Sequence, residues 1–130
     1  THERIKIGTT KSIGFDNGNE LQLGQFVITA GQQVTLADNT SSATNITTVN
    51  ATDVNGFEVD YTIVRGSAER RGTFRCTSTS TVFFEDDFTE NSSTGVTLSA
   101  DINSGLVRFR FISTSTGTAA TMRFTIKHLN

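Results

Sequence analysis

The sequence predicts an all-β domain, an antiparallel, jelly-roll-like β-sandwich, from three observations. Apolar and polar residues alternate in short runs from one end of the chain to the other, the period-2 mark of half-buried strands. Clusters of Asn, Gly, Asp and Ser separate those runs at near-regular intervals, as turns separate the strands of a sandwich or barrel. No window of helical length carries apolar residues at i, i+3, i+4 and i+7 behind a cap. Ten Phe residues supply core-forming bulk that a disordered chain lacks. Pro is absent, so every ladder hydrogen bond is available.

Taken in order, Ile5 and Ile7 alternate with Arg4 and Lys6. Ile13 and Phe15 precede Asp16-Asn17-Gly18-Asn19, and Leu21 and Leu23 follow it. Asn-Gly between alternating runs predicts a hairpin, because a type I′ turn needs positive φ at both central residues. Further strands are expected over 26–29, 33–36, 44–49, 56–65, 72–77, 81–84, 96–100, 106–113 and 121–129. Within 56–65, Phe57, Val59, Tyr61 and Ile63 share one face, while Glu58, Asp60 and Thr62 share the other. Pairing this run with 72–77 so that Ile63 opposes Phe74 and Tyr61 opposes Cys76 sets apolar against apolar, with the tip at Ser67-Ala68-Glu69-Arg70. A last hairpin is expected to set Phe109 and Phe111 against Ile126 and Phe124. Arg108 would then oppose Lys127, with Glu58 and Asp60 as the acids that relieve the like charges. The expected core is Phe57, Val59, Tyr61, Ile63, Phe74, Phe109, Phe111, Phe124 and Ile126.

Hydrophobic residues are 35% and charged residues 18% of the chain, below the roughly 45–50% and 25% of ordinary globular domains. Thr, Ser, Asn and Gly make up the difference. A net charge of -2 provides no field that draws nucleic acid, and no apolar run approaches the ~18 residues of a membrane-spanning helix. Neither a nucleic-acid partner nor membrane insertion is expected. The single Cys76 permits no internal disulfide and reads as a buried small hydrophobe. The chain reads as one domain over 1–130, with 1–30 as a connecting hairpin or linker. It opens at Thr1 without an initiator Met, which is compatible with a fragment of a longer protein or with processing.

The candidates for chemistry are few. Glu85-Asp86-Asp87, between Phe84 and Phe88, is the best candidate for a metal site, since hard cations need converging oxygens. The favoured reading is a solvated turn whose charges keep a sheet edge soluble. Glu69, Glu85, Asp86, Asp87 and Glu90 could offer a carboxylate pair for glycoside hydrolysis, but such pairs work across a cleft beside aromatic platforms. Trp is absent and the sole Tyr61 reads as core. His2 and His128 have no ligand-spaced partners, and no G-x-S-x-G elbow occurs. No catalytic residues and no cofactor are expected. Arg65, Glu69, Arg70 and Arg71, with Arg75 nearby, form a basic tip that could contact a phosphate or an acidic sugar. The favoured reading is a solvated hairpin end.

From about Thr35 onward a succession of motifs stands out: Asp38-Asn39 through Thr44-Asn45-Ile46-Thr47, then Val59-Asp60-Tyr61-Thr62-Ile63-Val64-Arg65-Gly66. Arg71-Gly72-Thr73-Phe74, Gly95-Val96-Thr97-Leu98-Ser99 and Gly117-Thr118-Ala119-Ala120-Thr121-Met122-Arg123-Phe124 follow. Together they resemble a C-terminal β-sandwich domain that recurs in the virion proteins of tailed bacteriophages, especially tail fibres and tailspikes. The resemblance implies a structural or host-attachment role at the distal end of a fibre or spike, commonly as a homotrimer. It carries no catalytic residues across, and it makes a bacterial surface polysaccharide the expected partner. The alternative is a carbohydrate-binding module of a secreted enzyme, which surface Trp or Tyr platforms would favour. The residues add their own argument for a homotrimer. Val82 and Phe84 lie opposite Phe83, and Leu106 and Ile112 lie opposite Phe109 and Phe111, leaving apolar surface for an interface.

Overall fold

The computed structural model describes residues 4–7, 11–16, 20–24, 26–29, 31–52 and 54–129. Among them are twelve strands and no helix: β1 (Arg4–Ile7), β2 (Lys11–Asp16), β3 (Glu20–Leu23), β4 (Phe26–Thr29), β5 (Gln32–Leu36), β6 (Thr44–Asn50), β7 (Gly56–Arg65), β8 (Ala68–Thr77), β9 (Phe84–Glu90), β10 (Val96–Asn103), β11 (Leu106–Ser113) and β12 (Ala120–Leu129). They form a β-sandwich of unequal sheets. The larger runs β1-β2-β3-β4-β12-β7-β8-β9, with β5 sharing an edge of β12 with β4; the smaller is β10-β11-β6. Every pairing is antiparallel. The chain crosses between sheets from β5 to β6, β6 to β7, β9 to β10 and β11 to β12. Residues 1–30 contribute β1–β4 to the edge of the larger sheet. β2 and β3 pair as the Asn17-Gly18 signal predicts, though the turn itself lies outside the described residues.

Burial alternates residue by residue along β7, with Phe57, Val59, Tyr61, Ile63 and Arg65 inward. β8, β10, β11 and β12 alternate likewise, so the inner faces close on one another and every expected core residue is buried. Phe109, from the smaller sheet, is the centre of this core. Its ring lies 4.8 Å from Phe74, 6.4 Å from Phe57 and 6.5 Å from Phe124, all on the larger sheet. Edge-on and tilted aromatic pairs of this kind add roughly 0.5–1.5 kcal/mol each beyond the area they bury.

Three local expectations are corrected. The β7–β8 hairpin pairs Ile63 with Arg70, Tyr61 with Gly72 and Val59 with Phe74, not Ile63 with Phe74 and Tyr61 with Cys76. Its tip is the two-residue turn Gly66-Ser67, with Gly66 at φ 60. A two-residue primed turn matches the strand twist and needs positive φ, which Gly adopts freely, so it prevails over the longer loop. The register differs by an even number of residues, so each side chain keeps its face and the core assignment survives.

The expected β11–β12 hairpin does not form. β11 lies between β10 and β6, and β12 lies in the other sheet. Phe109 and Phe124 therefore meet across the sandwich rather than side by side. Arg108 does not face Lys127: it forks Asp101 through Nε and Nη2, both at 2.6 Å. Lys127 takes Asp60 at 2.7 Å and Glu58 at 3.8 Å. Third, the strand expected over 81–84 begins only at Phe84, and the acidic run is inside it rather than in a turn. The preceding loop is held by Thr77 N donating to Phe83 O at 2.9 Å and by Phe83 N donating to the Thr77 side-chain Oγ1 at 3.1 Å.

Candidate functional site

The pleat distributes the expected basic tip over two faces. Arg65 and Arg70 point inward and are buried, while Glu69 and Arg71 point outward and are exposed. Arg65 closes one end of the sandwich. Its Nε donates to Thr118 O at 2.8 Å, Nη1 to Thr94 O at 2.9 Å, and Nη2 to Thr114 O at 2.7 Å and to Asp38 Oδ1. Asp38 also accepts from the backbone N–H groups of Thr116 at 2.8 Å and Gly117 at 3.1 Å. The Thr116 N–H leads in holding the Asp38 carboxyl below its usual range, and Gly117 and Arg65 add to it. Arg65 thus ties three loops together and has no free donor face for a ligand.

Arg70 closes the side of the sandwich next to β9. Nη2 donates to Val96 O at 2.7 Å and pairs with Glu90 at 3.3 Å, and Nη1 lies 3.8 Å from Asp86. The Phe88 ring covers the guanidinium at 3.9 Å. Tyr61 reaches the same cluster by donating its hydroxyl to Asp86 Oδ1 at 2.6 Å. It passes over Gly72, where an added Cβ would stand 2.7 Å from Tyr61 Oη and 2.7 Å from Phe88 Cβ. Burial, reinforced by Asp86, pushes the Tyr61 phenol well above its ordinary value. Burial likewise raises the Asp86 carboxyl, against the opposing pull of Tyr61 and Arg70. The Cys76 thiol is pushed up to about 11 by burial, which leaves it unreactive.

The metal candidates do not converge. As neighbours on a strand, Glu85 and Asp87 face outward and Asp86 inward. Glu85 pairs with Arg75 at 3.8 Å. Among the described residues no three His, Cys, Asp or Glu side chains are grouped to hold a metal ion. Like Asp38, four further carboxylates each have a structural partner: Asp60 with Lys127, Asp86 with Tyr61, Glu90 with Thr94 N at 2.7 Å, and Asp101 with Arg108. His2 lies outside the described residues.

Two surfaces remain unaccounted for by folding. The first is apolar and lies along β9, a sheet edge. Phe83, Phe84 and Phe88 are 72%, 48% and 42% exposed. Phe84 stacks on Phe74 at 5.4 Å and so continues the core outward past the smaller sheet. Leu106 and Ile112, on the outer face of the smaller sheet, are exposed as well. The second surface is the polar outer face of the larger sheet. Register aligns Gln33, Arg123, Thr62, Arg71 and Thr89 in one row across β5, β12, β7, β8 and β9. Arg71 and Arg123 are exposed there, and neither makes a hydrogen bond or ion pair among the described residues.

Compared with known proteins, the chain matches no family model, no curated protein and no solved structure. The functional reading therefore rests on residues and geometry. Arg123 is the residue that the sequence reading missed. It lies 52 positions from Arg71 in the chain, and only the pairing of β12 and β8 on either side of β7 brings the two together. The fate of Arg65 was legible: it continues the inward parity of Phe57, Val59, Tyr61 and Ile63.

Proposed function

We propose that this domain is a non-catalytic virion module at the distal end of a bacteriophage tail fibre or tailspike, assembling as a homotrimer and serving attachment to a bacterial surface polysaccharide. The carrying observation is the aromatic edge of β9. Three exposed Phe side chains on one short stretch of a domain with an otherwise closed core are costly in water and characteristic of a surface that another chain covers. Glu85 and Asp87 on the same strand oppose simple edge-to-edge pairing with a second β9. That favours a head-to-tail contact, in which this edge meets a different face of the next copy and the ring closes. The outer face of β11 offers Leu106 and Ile112 as an apolar complement to the Phe side chains.

The motif succession from Asp38 to Phe124 supports the virion setting. The non-catalytic reading is supported by carboxylates that are held in internal pairs. The carbohydrate-binding module of a secreted enzyme has less in its favour, because Trp is absent and Tyr61 is buried. Light scattering at micromolar concentration tests the assembly. A mass three times that of the chain is expected, falling to one chain in Phe83→Ser/Phe88→Ser; a single-chain mass for the unaltered protein overturns it.

A further inference from the structure

We infer that the outer face of the larger sheet holds a binding site for a carboxylate-bearing saccharide, clamped between Arg71 and Arg123. The inference deepens the attachment reading, on which its biological meaning rests, by naming the site and the ligand class. Arg123 and Arg71 are the register partners of Thr62 on its two sides. Their Cα atoms are therefore two strand spacings, about 10 Å, apart, and both side chains rise from the same face of the sheet. Two depressions adjoin there. One, of about 640 Å³, is lined by Gln33, Asp60, Thr62, Arg71, Arg123 and Thr125 among others. The other, of about 570 Å³, includes Val64, Glu69, Thr89 and Asn91. Arg71 and Thr62 belong to both, so Arg71 stands between two successive subsites.

The chemistry of the lining selects the ligand. A guanidinium that makes no internal hydrogen bond or ion pair presents a planar fork of donors that matches a carboxylate in two-point contact. Hydroxyls of Thr62 and Thr89 and the amide of Gln33 suit the hydroxyl groups of a sugar, and the apolar remainder of the lining suits the carbon skeleton of its rings. Asp60 holds Lys127 at 2.7 Å and acts on Arg71 only through space, so it tempers the charge of Arg71 without pairing with it. Glu69, on the same face as Arg71, lowers the local positive charge and so favours a singly charged carboxylate over a dianionic phosphate. A run of sugars crossing from one depression to the other would place an acid group on each side of Arg71.

Calorimetric titration with oligogalacturonate at physiological ionic strength is the test, with a neutral maltooligosaccharide and inorganic phosphate as the contrasting probes. Oligogalacturonate is expected to bind, and Arg71→Gln and Arg123→Gln each to weaken it about tenfold. The double variant should abolish binding. Arg75→Gln, on the same face but paired with Glu85, should leave binding unchanged. Exposed Arg→Gln changes leave the fold intact, which the melting temperature verifies. Absence of oligogalacturonate binding overturns the inference, as does equal weakening by Arg75→Gln, which would signal a diffuse field, or phosphate binding of equal strength. Maltooligosaccharide binding that survives the double variant overturns this site and leaves polysaccharide attachment standing elsewhere on the domain. A domain that trimerises but binds neither saccharide removes the attachment reading as well.

Discussion

Arg70 and Arg71 are consecutive in the chain and live in different chemical worlds. Arg70 lies under Phe88 among Asp86, Glu90 and the Val96 carbonyl, sealed between two sheets. Arg71 stands on the opposite face beside Thr62 and Arg123, in water. The same contrast holds for Arg65 and Arg123. The inner face of the larger sheet uses its arginines to satisfy backbone carbonyls at the ends and side of the sandwich. The outer face presents Arg71 and Arg123 to whatever approaches, while Arg75 is paired with Glu85. A charged residue in a sheet is structural or available according to the parity of its position, not its neighbourhood in the sequence.

The sharpest test of that contrast is a pair of substitutions. Arg65→Ala removes one buried guanidinium and leaves Asp38 and three loop carbonyls without their donor. Stranding three carbonyls in this way costs more than the roughly 1–3 kcal/mol of a single unsatisfied buried group, to be read from the urea midpoint. Arg71→Gln on the outer face should change the same midpoint by no more than about 0.5 kcal/mol. Comparable losses at both positions would erase the distinction between the faces.

Gly72→Ala probes the inner face more gently. The added methyl would collide with Tyr61 Oη and Phe88 Cβ, and overpacking of this kind costs about 1–3 kcal/mol. Because the clash falls on the Tyr61–Asp86 hydrogen bond and on the ring covering Arg70, faster amide exchange should be confined to β9 and its partner β8. Uniform loss of protection would mean that this edge is not a separate unit.

The smallest effect concerns pH, and it has opposite signs on the two faces. Burial raises the Asp86 carboxyl on the inner face, so its ionised form costs the fold at neutral pH. That cost fades as pH falls through the folded value toward the unfolded value of about 4. On the outer face the Lys127 ammonium lowers Asp60, whose contribution is present at neutral pH and is lost as pH falls through its folded value. Asp86→Asn, which keeps an oxygen for Tyr61, should therefore be neutral or stabilising at pH 7 and lose that advantage in acid. Asp60→Asn should be destabilising at pH 7 and approach the unaltered protein in acid. Both effects should be under about 1 kcal/mol; thermal melts at pH 7 and pH 4 decide the sign for Asp86, and a further melt near pH 2, below the lowered Asp60 value, decides it for Asp60.

The part of this fold that is legible along the chain is local and periodic. Period-2 alternation, turn clusters and the want of helical spacing specify strands, their inward faces and hence the core from Phe57 to Ile126, because each depends only on near neighbours along the chain. Even the true β7–β8 turn was written there as Gly66-Ser67, a signal outweighed in the reading by apolar matching further along. Which strand lies beside which was decided only by tertiary structure. β11 and β12 are neighbours in sequence, and their loop is short enough for a hairpin. In separate sheets they bury Phe109 completely, among Phe57, Phe74 and Phe124 across the sandwich. The same long-range choice placed Asp86 against Tyr61 and turned an apparent acidic turn into a sheet edge. It also carried Arg123 across one strand from Arg71. Pairing of distant strands is settled by the total apolar surface the two sheets can hide together, a quantity that no local window contains.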